Sequence, residues 1–577
     1  MGDVVPPGRT RPRRFGLAYL AVVSLLVVAG LWLMWAAGAE PPVPESVVPG
    51  QATPGSDVRD LAAAAPAVAS MGDVVPAPLS VRPAVGTTYT LRPDARILTH
   101  PGSAQAADVG AYLAGVLRPS TGYPLPVSEV ADGARTGDEA GKGGISLLLT
   151  GPGPGPAPME PGAEGYRLDV TSGGVVIRAR TAAGLFNGVQ TLRQLFPPEV
   201  ESATVRQGPW KVPGGRIVDR PRFPYRGAML DVARHFHPVE TVKRYIDRIA
   251  LYKINYLHLH LSDDQGWRIA VDSRPRLTAH GGTTQVGGGP GGHYTKAQYR
   301  EIVAYAARRY ITVVPEIDLP GHTNAALASY AELNCDGSAP PLYTGTEVGF
   351  SSLCATRESV YAFVKEVLGE VAALTPGPYL HIGGDEAKAT PPGQYTAFMN
   401  RVQPLAAATG KTVMGWHQIG EPGVRHSPGR VVQYWGTTAS DPLVAGAVSR
   451  GAQVVMSPAN RAYLDMKYTP ETTAGQDWAG HIEVRRAYDW NPGAYLRGVP
   501  ASAVLGVEAP LWTETISTEE QIEYMAFPRL PAIAELGWSP WTAHDWTAFG
   551  RRLGAQGPRW TIMGIGFYRS PQVPWAP

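Results

Sequence analysis

The chain has 577 residues, with 51 Lys and Arg against 49 Asp and Glu, a net charge of +2. No basic stripe stands beyond the N-terminus, which excludes a nucleic-acid partner. A hydrophobic content of 44% excludes a disordered chain, and the length exceeds a single core, so two folded domains are expected.

In chain order, the first signal is an address. Arg9, Arg11, Arg13 and Arg14 precede an uncharged run over 15–39 that ends in Ala37-Gly38-Ala39. Residues 1–39 therefore read as an export signal with a small-x-small cleavage site. The run is also long enough for an uncleaved signal anchor. Either form places the rest of the chain in a secreted or extracellular membrane-anchored protein, with the membrane touched only through this segment. Residues 40–75, rich in Pro and Ala, read as a linker. The hexapeptide Met-Gly-Asp-Val-Val-Pro stands at both 1–6 and 71–76, and no physical reason for that repeat is evident.

Residues 76–222 have a mixed α/β pattern and predict a small domain with an antiparallel-type sheet. Its predicted strands are 145–150, 165–170 and 174–179, and its predicted helix is 182–195. From 223 to 577 the pattern becomes short apolar strands separated by helical segments. Eight strands are predicted, at 225–231, 254–261, 312–318, 379–383, 412–416, 431–435, 453–457 and 504–508. Helices are predicted at 239–252, 296–309 and 359–374. Eight strands with crossovers predict a (β/α)₈ TIM barrel. A doubly wound open sheet is the alternative, against which stands the lack of a Gly-x-Gly-x-x-Gly after the first strand.

Polar residues stand just beyond nearly every predicted strand: Arg234, then Asp263 and Asp264, Asp318 and His322, Asp385 and Glu386. Trp416, Trp435, Tyr463 with Asp465, and Trp512 with Glu514 complete the set. That rim is where the active site of such a barrel lies. In His381-Ile-Gly-Gly-Asp385-Glu386 two glycines permit a tight turn, and the repulsion of adjacent carboxylates predicts that one keeps its proton near neutral pH. Side chains of adjacent residues diverge, so the pair is ill-suited to face both sides of a glycosidic bond. His258 and His260 share a strand face and, with His322 and Asp385, offer a metal-site reading; Tyr256 shares that face, so packing inside the barrel is as natural. For His322 the expected partner is Asp263, with Asp318 as the alternative. The 14 Trp mostly fill cores, but Trp416, Trp435, Trp478 and Trp512 are placed to wall a sugar-stacking pocket, with Arg234, Asp465 and Glu514 bonding its hydroxyls. The two cysteines, Cys335 and Cys354, sit in one segment of an exported chain, and a disulfide is expected over two free thiols.

The chain resembles bacterial, actinobacterial-like exo-β-N-acetylhexosaminidases of glycoside hydrolase family 20 from about residue 76 to the C-terminus. The motifs that carry this are Asp-Val-Ala-Arg-His-Phe at 231–236, Leu-Ser-Asp-Asp-Gln-Gly-Trp at 261–267 and Pro-Glu-Ile-Asp-Leu-Pro-Gly-His at 315–322. His-Ile-Gly-Gly-Asp-Glu at 381–386, Tyr-Leu-Asp at 463–465 and Leu-Trp-Thr-Glu at 511–514 extend the match. The resemblance implies retaining hydrolysis in which the substrate's 2-acetamido oxygen attacks the anomeric carbon, the substrate-assisted exception to the two-carboxylate scheme. It implies Glu386 as general acid and then base, Asp385 as the residue orienting the acetamido group, and Tyr463 as donor to the acetamido oxygen. Trp416, Trp435 and Trp512 would enclose the methyl, and Trp478 would wall the sugar site. Arg234 would bind the O3/O4 side and Asp465 and Glu514 the O4/O6 side, while Asp263 and His322 would support Glu386. Neither a cofactor nor a metal is implied. The implied substrates are oligosaccharides ending in β-linked N-acetylglucosamine or N-acetylgalactosamine, such as chito-oligosaccharides. A lacto-N-biosidase is a minor variant. The readings from other classes are a metal-dependent hydrolase or deacetylase and a catalytically silent sugar-binding protein.

Overall fold

The computed structural model describes residues 70–130, 143–150, 162–427 and 429–576; the export segment and most of the linker lie outside them. The linker is shorter than expected at its C-terminal end. Met71, Val74 and Val75 are buried, and the Val75 N–H donates to Gln194 Oε1 at 2.9 Å. Packing begins here because the second copy of the hexapeptide brings three apolar side chains into the core.

The first domain is one seven-stranded sheet. Its strands are β1 (Ser80–Thr90), β2 (Ile97–Thr99), β3 (Val127–Glu129), β4 (Ile145–Leu149), β5 (Tyr166–Thr171), β6 (Gly174–Ala179) and β7 (Lys211–Asp219), in the order β1-β7-β5-β6-β4-β2-β3. The β1-β7-β5-β6 half is antiparallel, as expected, and the β6-β4-β2-β3 half is parallel, so the sheet is mixed. Helix α1 (Ala104–Thr121) is capped by Ser103, and α2 (Ala182–Leu195) by the Thr181 hydroxyl, which accepts from the Gly184 N–H. Almost every residue of α2 is buried, because one side packs on the sheet and the other meets the barrel. Phe186 lies 5.4 Å from the Tyr310 ring.

The second domain is a closed barrel of eight parallel strands. These are β8 (Tyr225–Asp231), β9 (Tyr256–His260), β12 (Thr312–Glu316), β13 (Tyr379–His381), β14 (Thr412–Trp416), β15 (Val431–Tyr434), β16 (Gln453–Met456) and β17 (Val504–Ala509); a small hairpin, β10 (Ser262–Asp263) and β11 (Gly266–Trp267), follows β9. All eight predicted strands are present. The crossover from β14 to β15 holds a single 3₁₀ turn, His417–Gly420, and no α-helix among the described residues.

The barrel interior has two levels. Tyr225, Val314, Met414, Val431, Val455 and Leu505 form an apolar cluster, with Tyr256 and Tyr379 packed against it. Nearer the strand C-termini the fill is polar. His258 and His260 lie here, as the packing reading expected. Glu316 Oε2 meets His258 Nε2 at 3.0 Å and His260 Nδ1 at 2.5 Å, while Glu316 Oε1 meets His381 Nδ1 at 2.8 Å. Glu508 Oε1 accepts from His258 Nδ1 at 2.9 Å and from Gln433 Nε2 at 2.7 Å. Burial would raise the Glu316 carboxyl, but the three imidazoles hold it well below its usual range. Register explains the level: Asp231, His260, Glu316 and His381 are successive cross-strand partners at the strand ends. This polar layer is the floor beneath the rim.

Candidate active site

Above that floor lies a cavity of about 260 Å³ lined by Arg234, His322, Thr346, Val348, Asp385, Glu386, Trp435, Tyr463, Asp465, Gln476, Trp478, Trp512 and Glu514. It is small beside the ~300–1,000 Å³ common for ligand sites, a size suited to one sugar unit. Nine of these thirteen side chains were expected to meet the substrate, and His322 was expected to support Glu386. Thr346, Val348 and Gln476 were not anticipated, because they come from loops where only tertiary structure shows proximity.

Strand β13 ends where Gly383 (φ 62°) and Gly384 (φ 103°) take left-handed backbone conformations. A Cβ on Gly383 would stand 1.7 Å from Asp318 Oδ1, so no other residue fits there. The turn sends Asp385 and Glu386 to the cavity. Glu386 (φ 42°) and His322 (φ 55°) are themselves left-handed. Such strain in non-glycine residues persists where the surroundings over-determine it, typically at functional sites.

The His322 ring resolves its expected partner. Nδ1 meets Asp263 Oδ1 at 3.2 Å, and Nε2 stands 3.5 Å from Glu386 Oε2 and 3.6 Å from Asp385 Oδ2. Asp263 also takes Arg234 Nη2 at 2.8 Å and His260 Nε2 at 2.9 Å. Burial would raise the Asp263 carboxyl, but Arg234, His322 and His260 hold it well below its usual range. Burial opposes a charge on His322, yet Asp263 and Asp385 raise it well above the usual imidazole value. Asp264 faces away: it accepts from Ser351 Oγ and the Asn324 N–H and braces the loop behind the site.

The adjacent carboxylates shift in opposite directions, Asp385 upward and Glu386 downward. Burial raises Asp385, and Glu316 and Glu386 add to this against His322. In Glu386 burial is outweighed by the His322 hydrogen bond and charge and by Lys388, so it lies below its usual range. Tyr463 is raised well above 10 by burial and by Asp465, so its hydroxyl stays a donor.

The aromatic residues divide. Trp435 and Trp512 line the cavity, Trp512 lies 6.2 Å from the Tyr463 ring, and Arg234 sits 4.7 Å over Trp512. Trp478 stands at the mouth, 54% exposed and 6.0 Å from both Trp435 and Tyr463. Trp416 requires a correction. It does not line the cavity but lies behind it, 1% exposed, 5.5 Å from Trp512 and bonded through Nε1 to Glu316. The bond to Glu316 turns its indole toward the polar layer of the barrel, and Trp512 stands against its ring.

Five buried side-chain atoms of the lining residues, Arg234 Nε, His322 Nε2, Asp385 Oδ1, Asp465 Oδ1 and Glu514 Oε2, have no hydrogen-bond partner among the described residues. Buried polar atoms are rarely left unpaired, and a ligand rich in hydroxyl and amide groups satisfies them. The expected disulfide joins Cys335 to Cys354. It closes the loop that brings Thr346 and Val348 to the cavity mouth.

Residues 223–541 match the model of the glycosyl hydrolase family 20 catalytic domain, and residues 72–220 match domain 2 of that family. A β-N-acetylhexosaminidase of Cellulomonas fimi is 41% identical over 502 residues, covering 87% of this chain and 97% of its own. The solved family 20 β-N-acetylhexosaminidase of Streptomyces coelicolor A3(2) is 58% identical with a TM-score of 0.83, covering 88% of this chain and 99% of its own. A mutant Streptomyces plicatus β-hexosaminidase solved in complex with product, GlcNAc, is 59% identical with a TM-score of 0.83, covering 88% and 98%.

Proposed function

The chain belongs to glycosyl hydrolase family 20 and acts as a β-N-acetylhexosaminidase, and we propose that its cavity residues divide the reaction as follows. A terminal β-linked N-acetylhexosamine enters with its hydroxyls toward Arg234, Asp465 and Glu514. Trp512 and Trp435 enclose the acetamido methyl, with Trp416 holding Trp512 from behind. Trp478 covers the ring at the mouth. The acetamido oxygen, receiving the Tyr463 hydroxyl, attacks the anomeric carbon. Asp385 accepts from the acetamido N–H and stabilises the positive charge of the oxazolinium intermediate. Glu386 protonates the leaving oxygen, then takes the proton of the incoming water. Because the nucleophile is tethered to the substrate, it acts at high effective concentration, and the cage preserves its geometry.

The proton logic follows from His322. The cation lies on His322, and Glu386 is held low. Entry of the sugar excludes water beside Glu386, which favours its neutral form, and the 3.5 Å approach of His322 Nε2 supplies the proton. The observation carrying this reading is the convergence of Tyr463, Asp385 and Glu386 on a one-sugar cavity whose unpaired polar atoms await hydroxyl and amide partners.

A cavity of this size supports exo action that releases single N-acetylglucosamine or N-acetylgalactosamine units, with chito-oligosaccharides as the proposed natural substrates. Export is proposed from the arginine-preceded apolar run and the disulfide. Among the described residues no helix is long and apolar enough to cross a membrane.

The test is hydrolysis of 4-nitrophenyl N-acetyl-β-glucosaminide beside the corresponding β-glucoside. Turnover of the acetamido sugar alone is expected. Equal turnover of both would mean that a protein carboxylate is the nucleophile and would overturn the roles of Asp385 and Tyr463.

A further inference from the structure

Asp318 is a buried carboxylate that the scheme above does not use. It follows β12, is 1% exposed and does not line the cavity. Its Oδ1 accepts from the Gly384 N–H at 3.1 Å, and Oδ2 is buried with no hydrogen-bond partner among the described residues. One oxygen of Asp318, one of Asp385 and one ring nitrogen of His322 lie within 4.8 Å of one another. The charged and titratable groups around Asp318 are Asp385, His322, Glu316, His260 and Tyr395. Two of these are further carboxylates, and the imidazole between Asp318 and Asp385 is already committed to Asp263 through its other nitrogen. Two carboxylates so close and so buried cannot both ionise cheaply; they share a proton.

We propose that Asp318 is a positioning residue that keeps this shared proton and donates it to Asp385. This rests on the role given to Asp385 above. The geometry supports this direction of donation. Asp385 lines the cavity, and its buried Oδ1 has no partner in the protein, so the anion is useful there, facing the acetamido N–H and the charge that develops on it. Asp318 lies behind, locked by the Gly384 N–H in a turn that admits no Cβ at Gly383. A neutral carboxyl there fixes the Asp385 rotamer without adding a second negative charge to the site.

An amide mimics a neutral carboxyl and not a carboxylate, so the pair is tested by matched substitutions in the full chain. Steady-state kinetics on 4-nitrophenyl N-acetyl-β-glucosaminide would compare Asp318→Asn, Asp318→Ala, Asp385→Asn and Asp385→Ala. Expected is kcat within about fivefold of the parent for Asp318→Asn, and a loss of about 10²–10³-fold for Asp318→Ala with KM little changed, the scale of removing one preorganised donor. Asp385→Asn and Asp385→Ala should both be severely impaired. Difference infrared spectroscopy near pH 7 should show a protonated-carboxyl C=O band in the parent and in Glu386→Gln that is missing from Asp318→Asn. A tolerated Asp385→Asn beside an impaired Asp385→Ala would put the proton on Asp385 and overturn the proposal. So would equal impairment of the two Asp318 variants, or a band that survives Asp318→Asn. Parental turnover in both Asp385 variants would instead overturn the role of Asp385 itself.

Discussion

Tyr463 and His322 show how much chemistry rests on single side chains in a dry site. The Tyr463 hydroxyl keeps its proton because burial and Asp465 disfavour the phenolate. Tyr463→Phe removes that donor with almost no change in volume, so kcat should fall about 10²–10³-fold while thermal unfolding stays near that of the parent. His322 makes a sharper prediction. In the parent, His322 and Glu386 hold one proton as a pair, and the imidazolium lies above its usual pKa. The pair therefore loses that proton only at high pH, and the alkaline limb of kcat/KM reports this joint loss. In His322→Gln the store is gone and Glu386 titrates alone, so the alkaline limb should move to lower pH as well as the maximum falling. A profile that keeps its parental alkaline limb would show that His322 does not hold the working proton. These residues were legible in the sequence because strand-end polar residues in a barrel converge. The depth of Trp416 was not, since the same position on a strand serves as wall or as backing according to what packs above it.

At the scale of elements, the strands were the most legible part. Each is a short apolar run closed by polar or glycine residues, and the bounds of all eight fall within two residues of those expected. The first domain was less legible. Strands β1 and β7 carry Pro, Gly and Arg and pair with each other across 121 residues of sequence from Thr90 to Lys211, so nothing local marks them. The loop closed by Cys335 and Cys354 is the element with the clearest separable task. It carries Thr346 and Val348 to the mouth and is tied by Gln265 Nε2 to the Gly345 carbonyl at 2.8 Å. Replacing both cysteines by serine should cost about 3 kcal/mol, the scale for a loop of this length, read by chemical denaturation. The KM for chito-oligosaccharides should rise more than kcat falls, because the loop borders the mouth while Tyr463, Asp385 and Glu386 stand on other elements. An unchanged KM would show that the loop plays no part in holding the substrate.

For the whole molecule, the question is what keeps the two domains one body. Helix α2 lies between sheet and barrel, and buried ion pairs close the seam. Arg559 Nη1 meets Glu201 Oε1 at 2.5 Å with both side chains 3% exposed, and its Nη2 donates to the Phe196 carbonyl at 2.8 Å. Arg226 meets Glu164 at 2.5 Å from the first barrel strand. Arg559→Ala strands the buried Glu201 charge on Arg193 alone and should destabilise the protein by about 3–5 kcal/mol, with kcat of the folded fraction retained. The pH dependence has a definite sign. Burial would raise Glu201, but Arg193 and Arg559 hold it below its usual range. Its contribution is therefore present above the unfolded carboxylate value of about 4.3 and is lost as pH falls through the lowered folded value. Unfolding free energy measured on acidification should drop in that range in the parent and drop less in Arg559→Ala; parallel curves would remove the pair from the seam.

The sequence by itself determined the barrel, its eight strands and the rim as the place of chemistry, because periodicity and strand-end residue types are local properties that packing does not reverse; the acetamido-sugar substrate class came from the resemblance of its motifs to family 20. Tertiary structure alone decided which rim residues touch the cavity and which stand behind it. It also placed the cation on His322 and set Asp385 above and Glu386 below their usual ranges. Those outcomes depend on burial and on charges brought within a few ångströms from strands far apart in the chain, and one-dimensional spacing carries neither distance nor dielectric.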